Sequence, residues 1–386
     1  MHIAGGLYRE LCEFPVWDSE FGSGGRAAAA VSALSPGSVL HTYARDSDSV
    51  GMASLRALGI QVWAQPSSVG VAFAYFHPLS RPHIEPPAGQ IEQQPPLQVS
   101  GETVLRFGFL EGDAIVIAGR AIYDPQTSND PQPFAANGST ANELAIVLNE
   151  LELRKMAGVD DISVGAMRVI QAQRAAVVVV KGGTRGAVVF DHSGIVTHVP
   201  AYRSARVFKI GTGDVFSAMF AYYWGEASRP AFEAADVASR SVAAYCTTRQ
   251  LPPAFSAAEE LQPIGTSPPG PVLLEGAVDT IGRRYVMEEA RFRLGELGAH
   301  VISPSLGSTA DEPTTIPPAA MLVMTDGITA GLRDRVSRAH AAGIPIVVFA
   351  EHRFDGMFGE FKNSAFIVTD DLSSALYFAI WAAIPP

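Results

Sequence analysis

Gly211-Thr212-Gly213-Asp214 places two glycines and a carboxylate where an extended segment gives way to the apolar run Val215 to Trp224. If that run is a helix, the backbone N–H groups of its first turn have no helical partner and carry the positive end of the helix dipole, so the turn suits an anion. Asp214, held ionised there beside a bound phosphate, could take a proton from an attacking hydroxyl. Read alone, the same four residues also describe a helix with an acid near its cap and glycines that only make the turn. Lys209, two residues before the turn, either brings its ammonium to a phosphate or extends into solvent.

Three other clusters could serve such chemistry. Asn149 and Glu152 lie three apart, a spacing that forms a capping box or, alternatively, an amide and a carboxylate able to hold water around Mg²⁺. Lys181-Gly182-Gly183-Thr184-Arg185-Gly186 follows the buried run Ala175 to Val180. Its glycines permit close backbone approach and its bases could face phosphate, although an ordinary tight turn has the same composition. Gly22-Ser23-Gly24-Gly25-Arg26-Ala27 resembles a dinucleotide fingerprint only superficially, because no buried strand precedes it, and a close-approach surface for a polar ligand fits better. The chain contains no G-x-x-x-x-G-K-[ST] sequence, which excludes a P-loop.

These residues need elements to hold them. Residues 1–60 alternate strand, glycine-rich turn, helix (Ala27 to Leu34), strand (Ser38 to Tyr43) and helix (Val50 to Leu58), the pattern of a parallel sheet flanked by helices. From Gln61 to Phe109 short alternating segments broken by prolines predict antiparallel strands inserted in that core as a cover. Asp113 to Ala118 resumes a buried strand, and a helix is expected from about Ala141 to Leu148. The Pro- and Ser-rich segment Leu251 to Pro271 reads as a linker, after which a second α/β alternation starts. Length and a 47% hydrophobic content allow two cores, and 39 acids against 28 bases (net charge -11) argue against a nucleic-acid partner. Two distant cysteines, no signal-like start and no apolar run of bilayer length predict a cytoplasmic protein that makes no membrane contact.

In this order the clusters resemble the PfkB, or ribokinase-like, family of carbohydrate and nucleoside kinases over residues 1–262. Gly211-Thr212-Gly213-Asp214 is similar to its G-A-G-D signature, Asn149-x-x-Glu152 to its N-x-x-E motif, Val179 to Ala187 to its nucleotide-side strand and turn, and Gly22 to Ala27 to its substrate-side G-G motif, with Asp48-x-x-Gly51 as the next turn. The resemblance implies a three-layer α/β/α domain with a small β lid and ATP-dependent phosphorylation of an alcohol on a sugar or nucleoside. It implies Asp214 as base, the Gly211, Thr212 and Gly213 amides as anion hole, and Asn149 and Glu152 ordering the Mg²⁺ shell. It further implies Lys181, Gly183, Gly186 and Lys209 toward the nucleotide, and Glu10, Gly24, Gly25 and Arg26 toward the acceptor. Phe208-Lys209-Ile210 stands where the family often has Asp-Thr-Thr, so no potassium requirement is expected. Glu10 or Asp18 stands in for the family's substrate Asp, and Arg26 for its Asn, a change that favours an acidic or larger polar acceptor. A homodimer is compatible with this reading, and no residue specifies one.

Residues 263–271 are read as linker and 272–386 as a flavodoxin-like, doubly wound α/β domain. Leu273 to Val278, Met324-Thr325-Asp326-Gly327 and Ala339 to Pro345 are similar to nucleoside 2-deoxyribosyltransferases. Alignment on the last run puts Arg335, beside Asp334, where those enzymes have a nucleophilic Glu, and an Arg cannot form a glycosyl ester. Two rival functions are therefore kept: a degenerate pair of domains that senses or scaffolds, and an N-glycosidic activity through Asp334.

Overall fold

The computed structural model describes residues 1–386 apart from 46–47, 255–260, 308–316, 328–329, 352–365 and 386. It divides into two compact units, residues 1–205 with 209–262, and residues 263–386 with 206–208.

The first unit runs β1 (His2–Ala4), β2 (Arg9–Cys12), β3 (Trp17–Glu20), α1 (Gly22–Val31), β4 (Val39–Ala44), α2 (Ser49–Ala57), β5 (Gln61–Pro66), β6 (Ala72–Tyr75), β7 (His83–Glu85), β8 (Leu97–Phe107), β9 (Ala114–Asp124), β10 (Thr140–Asn149), α3 (Glu150–Ala157), α4 (Ile162–Gln173), β11 (Val177–Lys181), β12 (Ala187–Asp191), β13 (Val196–Val199), α5 (Thr212–Phe220) and α6 (Ala231–Thr248). Nine strands form one mixed sheet in the order β13-β12-β11-β10-β9-β8-β1-β4-β5, parallel from β5 to β11 and antiparallel at β12 and β13. This is the expected ribokinase-like α/β arrangement. A separate four-stranded sheet, β3-β2-β6-β7, includes strands from the predicted cover and is called the lid for its place outside the main sheet.

Two sequence readings need correction. The predicted helix over 141–148 is strand β10, whose residues Leu144 to Leu148 are all buried. A sheet covered on both faces hides every side chain of a strand, whereas an amphipathic helix hides one stripe, so the continuous apolar run decides for strand. The lid does not lie wholly within 61–109 either. Half of it, β2 and β3, precedes α1, while β5 and β8 from the predicted cover belong to the main sheet. Short half-exposed strands such as Trp17–Glu20 carry too little periodicity to announce themselves.

Helix α1 begins at Gly22, five residues before the predicted start, and takes the glycines into its first turn. The reason is contact: a β-carbon on Gly24 would overlap the Gly5 carbonyl. Only a residue without Cβ lets the helix lie this close to the turn after β1.

The second unit contains β14 (Val272–Glu275), α7 (Ile281–Glu296), β15 (Val301–Ile302), β16 (Ala320–Met324), α8 (Ala330–Ala341), β17 (Ile346–Phe349), β18 (Phe366–Thr369) and α9 (Leu372–Ala383). Its five strands are all parallel in the order β15-β14-β16-β17-β18. That 2-1-3-4-5 order is the flavodoxin-like one. The sequence also predicts a last strand over Ala365 to Val368, whose first residue lies outside the described residues. Among the described residues no helix is long and apolar enough to cross a membrane.

Candidate active site

In the first unit the C-terminal ends of three adjacent parallel strands present Asp124 (β9), Asn149 (β10) and Lys181 (β11), and the turn 209–211 brings the start of α5 to the same place. Gly211 caps α5 with φ +75, a left-handed conformation that glycine adopts without steric cost. The Thr212 amide donates to the Lys209 carbonyl (3.3 Å) and that of Val215 to the Gly211 carbonyl (3.0 Å). The Gly213 and Asp214 amides between them are first-turn donors without helical acceptors. Lys209 donates its ammonium to Thr212 Oγ1 (3.0 Å), so this cation stays at the helix start. Lys181 Nζ lies 3.7 Å from where a Gly213 β-carbon would be. Two ammonium groups thus flank one set of bare amides, which is how a protein receives a polyphosphate end.

Asp214 faces an open cavity of about 210 Å³ lined by Glu10, Ser23, Phe73, Tyr75, Gln126 and the glycines Gly22, Gly211 and Gly213 among others. Gln126 Nε2 donates to its Oδ1 (2.6 Å) and Arg26 Nη1 to its Oδ2 (3.0 Å). Burial pushes the Asp214 carboxyl up, Arg26 pulls it back and Glu10 raises it again, leaving it at about 6. A carboxylate poised there is mostly ionised at neutral pH yet still a competent proton acceptor.

Arg26 is entirely buried and shares its guanidinium among several acceptors. Nη1 donates to Glu10 Oε1 (2.8 Å) and weakly to the Gly22 carbonyl (3.4 Å), Nη2 to Glu10 Oε2, and Nε to the Tyr245 hydroxyl (3.3 Å). The expectation that Arg26 selects an acidic acceptor does not survive this geometry, because its charge is spent on Glu10 and Asp214 and it is not a lining residue of the cavity.

Behind the amides, Lys181 Nζ donates to Asp124 Oδ2 (2.6 Å) and Ser217 Oγ to the same oxygen (2.7 Å). Burial opposes the Lys181 charge, but Asp124, Glu152 and Asp214 outweigh it and raise its pKa. Asn149 and Glu152 form the capping box: Asn149 Oδ1 accepts from the Glu152 amide (2.9 Å) and Glu152 Oε2 from the Asn149 amide (2.8 Å). Burial and then the nearby Asp124 charge push Glu152 up to about 7. Among the described residues no group of three or more His, Cys, Asp or Glu is placed to hold a metal directly.

The other expected residues play local parts. Gly24 and Gly25 pack against Gly5 and the Leu7 side chain, while Gly22 and Ser23 line the cavity in their stead. Gly183 (φ +62) and Gly186 (φ +79) shape the β11–β12 turn, where a Gly186 β-carbon would strike the Val199 carbonyl. Asp18 pairs with Arg9 on the lid (2.7 Å) and is exposed. Sequence reasoning passed over Asp124, Gln126 and Ser23. Asp124 had a signal, an acid ending a buried strand ahead of a proline turn, whereas Gln126 shows itself only by its left-handed φ of 53 beside the site.

In the second unit Arg335 donates through Nε and an Nη to both oxygens of the wholly buried Glu275 (2.6 and 2.9 Å) at the end of β14. Asp334 is exposed on α8, and Asp326, also exposed, pairs with Arg283 (3.1 Å). Replacing Arg335 by Ala strands the Glu275 charge and is expected to cost on the order of 2–3 kcal/mol, less than for a fully buried pair because Arg335 is partly exposed. Denaturant unfolding of the full chain checks this, with Glu275→Gln in the same background restoring most of the loss.

Residues 131–252 match the family model described as pfkB family carbohydrate kinase, a stretch that holds Asn149, Glu152, Lys181 and the whole 209–214 turn. No curated protein matches the chain. Among solved structures it is similar to the ribokinase from Giardia lamblia (16% identity over 64% of this chain and 94% of that one, TM-score 0.48). It is also similar to a fructokinase from Vibrio cholerae O395 in a fructose-, ADP- and calcium-bound form (14%, 64% and 93%, TM-score 0.46). A third is a pyrophosphate-dependent kinase in the ribokinase family, complexed with a pyrophosphate analog and myo-inositol (14%, 64% and 94%, TM-score 0.44).

Proposed function

We propose that this chain, which carries a pfkB family carbohydrate kinase match over residues 131–252, transfers a phosphoryl group from ATP to an alcohol of an uncharged, sugar-like acceptor. The observation that carries the reading is Asp214 in the wall of a cavity lined also by Gly211 and Gly213 at the start of α5, with Lys209 and Lys181 beside that helix start. Asp214 takes the proton of the acceptor hydroxyl as that oxygen attacks the γ-phosphorus. The amides of Gly211, Gly213 and Asp214, with Lys209 and Lys181, offset the charge on the transferred phosphoryl group and on the departing ADP, whereas the Thr212 amide is already taken by the Lys209 carbonyl. Mg²⁺ would supply further charge compensation across the phosphates. Both Asn149 Oδ1 and Glu152 Oε2 are spent in the capping box, so these residues would order water around a hydrated ion rather than ligate it.

A cavity of about 210 Å³ is small beside ordinary ligand pockets. It suits a monosaccharide-sized acceptor better than a nucleoside. Phe73 and Tyr75 supply apolar wall for a sugar's C–H surface, and Glu10, Ser23 and Gln126 supply hydrogen-bonding groups for its hydroxyls. A screen for ADP formation over neutral sugars, cyclitols, nucleosides and sugar acids tests the proposal: turnover is expected with neutral polyols, and none with any acceptor refutes it. One observation favours the rival binding-only reading, since both oxygens of Asp214 are already engaged. ATP binding by calorimetry with no turnover anywhere in the screen would establish that rival. If Asp214 is the base, kcat/KM falls on the acid side with a limb near pH 6, because its protonated form accepts nothing.

A further inference from the structure

We infer that Arg26 is the positioning residue of this site, a buried cation whose single guanidinium fixes both the carboxylate of Asp214 and the Ile210–Gly211 turn, in balance with Glu10 from the lid. The inference rests on the phosphoryl-transfer reading for its purpose, though not for its geometry. Arg26 has no exposed surface, and its Nη1 reaches Asp214 Oδ2 and Glu10 Oε1 together, at 3.0 and 2.8 Å. Its Nε side lies so close to Gly211 that any β-carbon there would overlap it. The Tyr245 hydroxyl that accepts from Nε donates onward to the Ile210 carbonyl (3.0 Å). One planar group thus sets the position of the proton acceptor and the backbone that presents the anion hole.

A guanidinium can do this because its donors point along fixed directions in one plane, which an ammonium cannot reproduce. Glu10 is part of the device. It sits on β2, a lid strand, and takes two of the guanidinium's hydrogen bonds, so Arg26 is shared between lid and base rather than locked to Asp214 alone. The groups facing Asp214 are Arg26 from α1, Glu10 from β2, Tyr75 from β6, Asp124 and Gln126 from the end of β9, Lys181 from β11 and Lys209 from the turn. Of these, Arg26 and Glu10 act on Asp214 in opposite directions, which gives the inference a distinctive signature.

The test follows the Asp214 carboxyl by ¹³C NMR in protein labelled at the aspartate side-chain carboxyl, with the resonance assigned by its loss in Asp214→Asn. Arg26→Gln should raise the titration midpoint by about one pH unit or more, and Glu10→Gln should lower it, because Arg26 then serves Asp214 alone. Arg26→Lys should fall between wild type and Arg26→Gln. The acid limb of kcat/KM for ADP formation should move with the NMR midpoint, so that Arg26→Gln loses about fivefold or more at pH 6 and recovers most of it at pH 8.5. Shifts in one common direction, or no shift in either variant, overturn the inference. Should Arg26→Gln fail to fold, Glu10→Gln decides: a lowered midpoint supports the inference and an unmoved one refutes it. Opposed NMR shifts without turnover on any acceptor would refute the kinase reading while leaving the positioning role intact. Turnover with an unmoved midpoint would do the reverse.

Discussion

Asp214→Asn is expected to lower ADP formation by roughly 10²–10⁴-fold while ATP binding stays within a few-fold of wild type. Asparagine fills the same volume and keeps an oxygen for the Arg26 donor, so what disappears is the ability to accept a proton. Stability separates this from a structural effect. The Asp214 carboxyl titrates near 6 in the folded chain against 3.8 as its ordinary value. The folded state therefore binds that proton more readily than the unfolded one, and the stability tied to it is complete below about 4 and lost as pH rises through 6. Relative to wild type, Asp214→Asn should thus gain thermal midpoint between pH 5 and pH 8 even as activity vanishes. A midpoint that falls at pH 8 would mean that the carboxylate mainly holds the fold.

The second large effect is Gly211→Ala. Any residue with a β-carbon pays about 1–2 kcal/mol for the left-handed conformation at φ +75. Here the added carbon also overlaps Arg26 and must push its guanidinium off Glu10 and Asp214. Disturbing a buried ion pair adds several kcal/mol, so a total loss of at least about 3 kcal/mol is expected, with ADP formation abolished. Gly158→Ala is the comparison. Gly158 caps α3 with φ +67 and has nothing within 4 Å of its virtual β-carbon, so only the conformational cost of about 1 kcal/mol should appear, with activity unchanged. Denaturant unfolding and ADP release on both variants check the pair. Equal losses would remove the contact argument.

Much of the site was legible before any coordinates. The 209–214 turn could be read because its signals are local: an extended stretch, two glycines, an acid and an apolar run specify a helix start wherever it falls in a fold. The capping box of Asn149 and Glu152 was legible for the same reason, and the structure contains it. The lid was only half legible. Its strands are three to four residues long and come from both sides of α1, so nothing along the sequence shows that Arg9–Cys12 will pair with Ala72–Tyr75.

The sequence by itself determined the α/β alternation, the glycine turn that opens α5 and the acid that ends it, since each follows from the propensities of a few consecutive residues. Only the tertiary structure decided what Arg26 does. From residue type alone it invited an acidic ligand, yet the fold delivers it to Asp214, 188 residues away, and to Glu10 on a lid strand. A buried charge takes its meaning from the partners that share its low-dielectric surroundings, and those are chosen by packing rather than by neighbours along the chain.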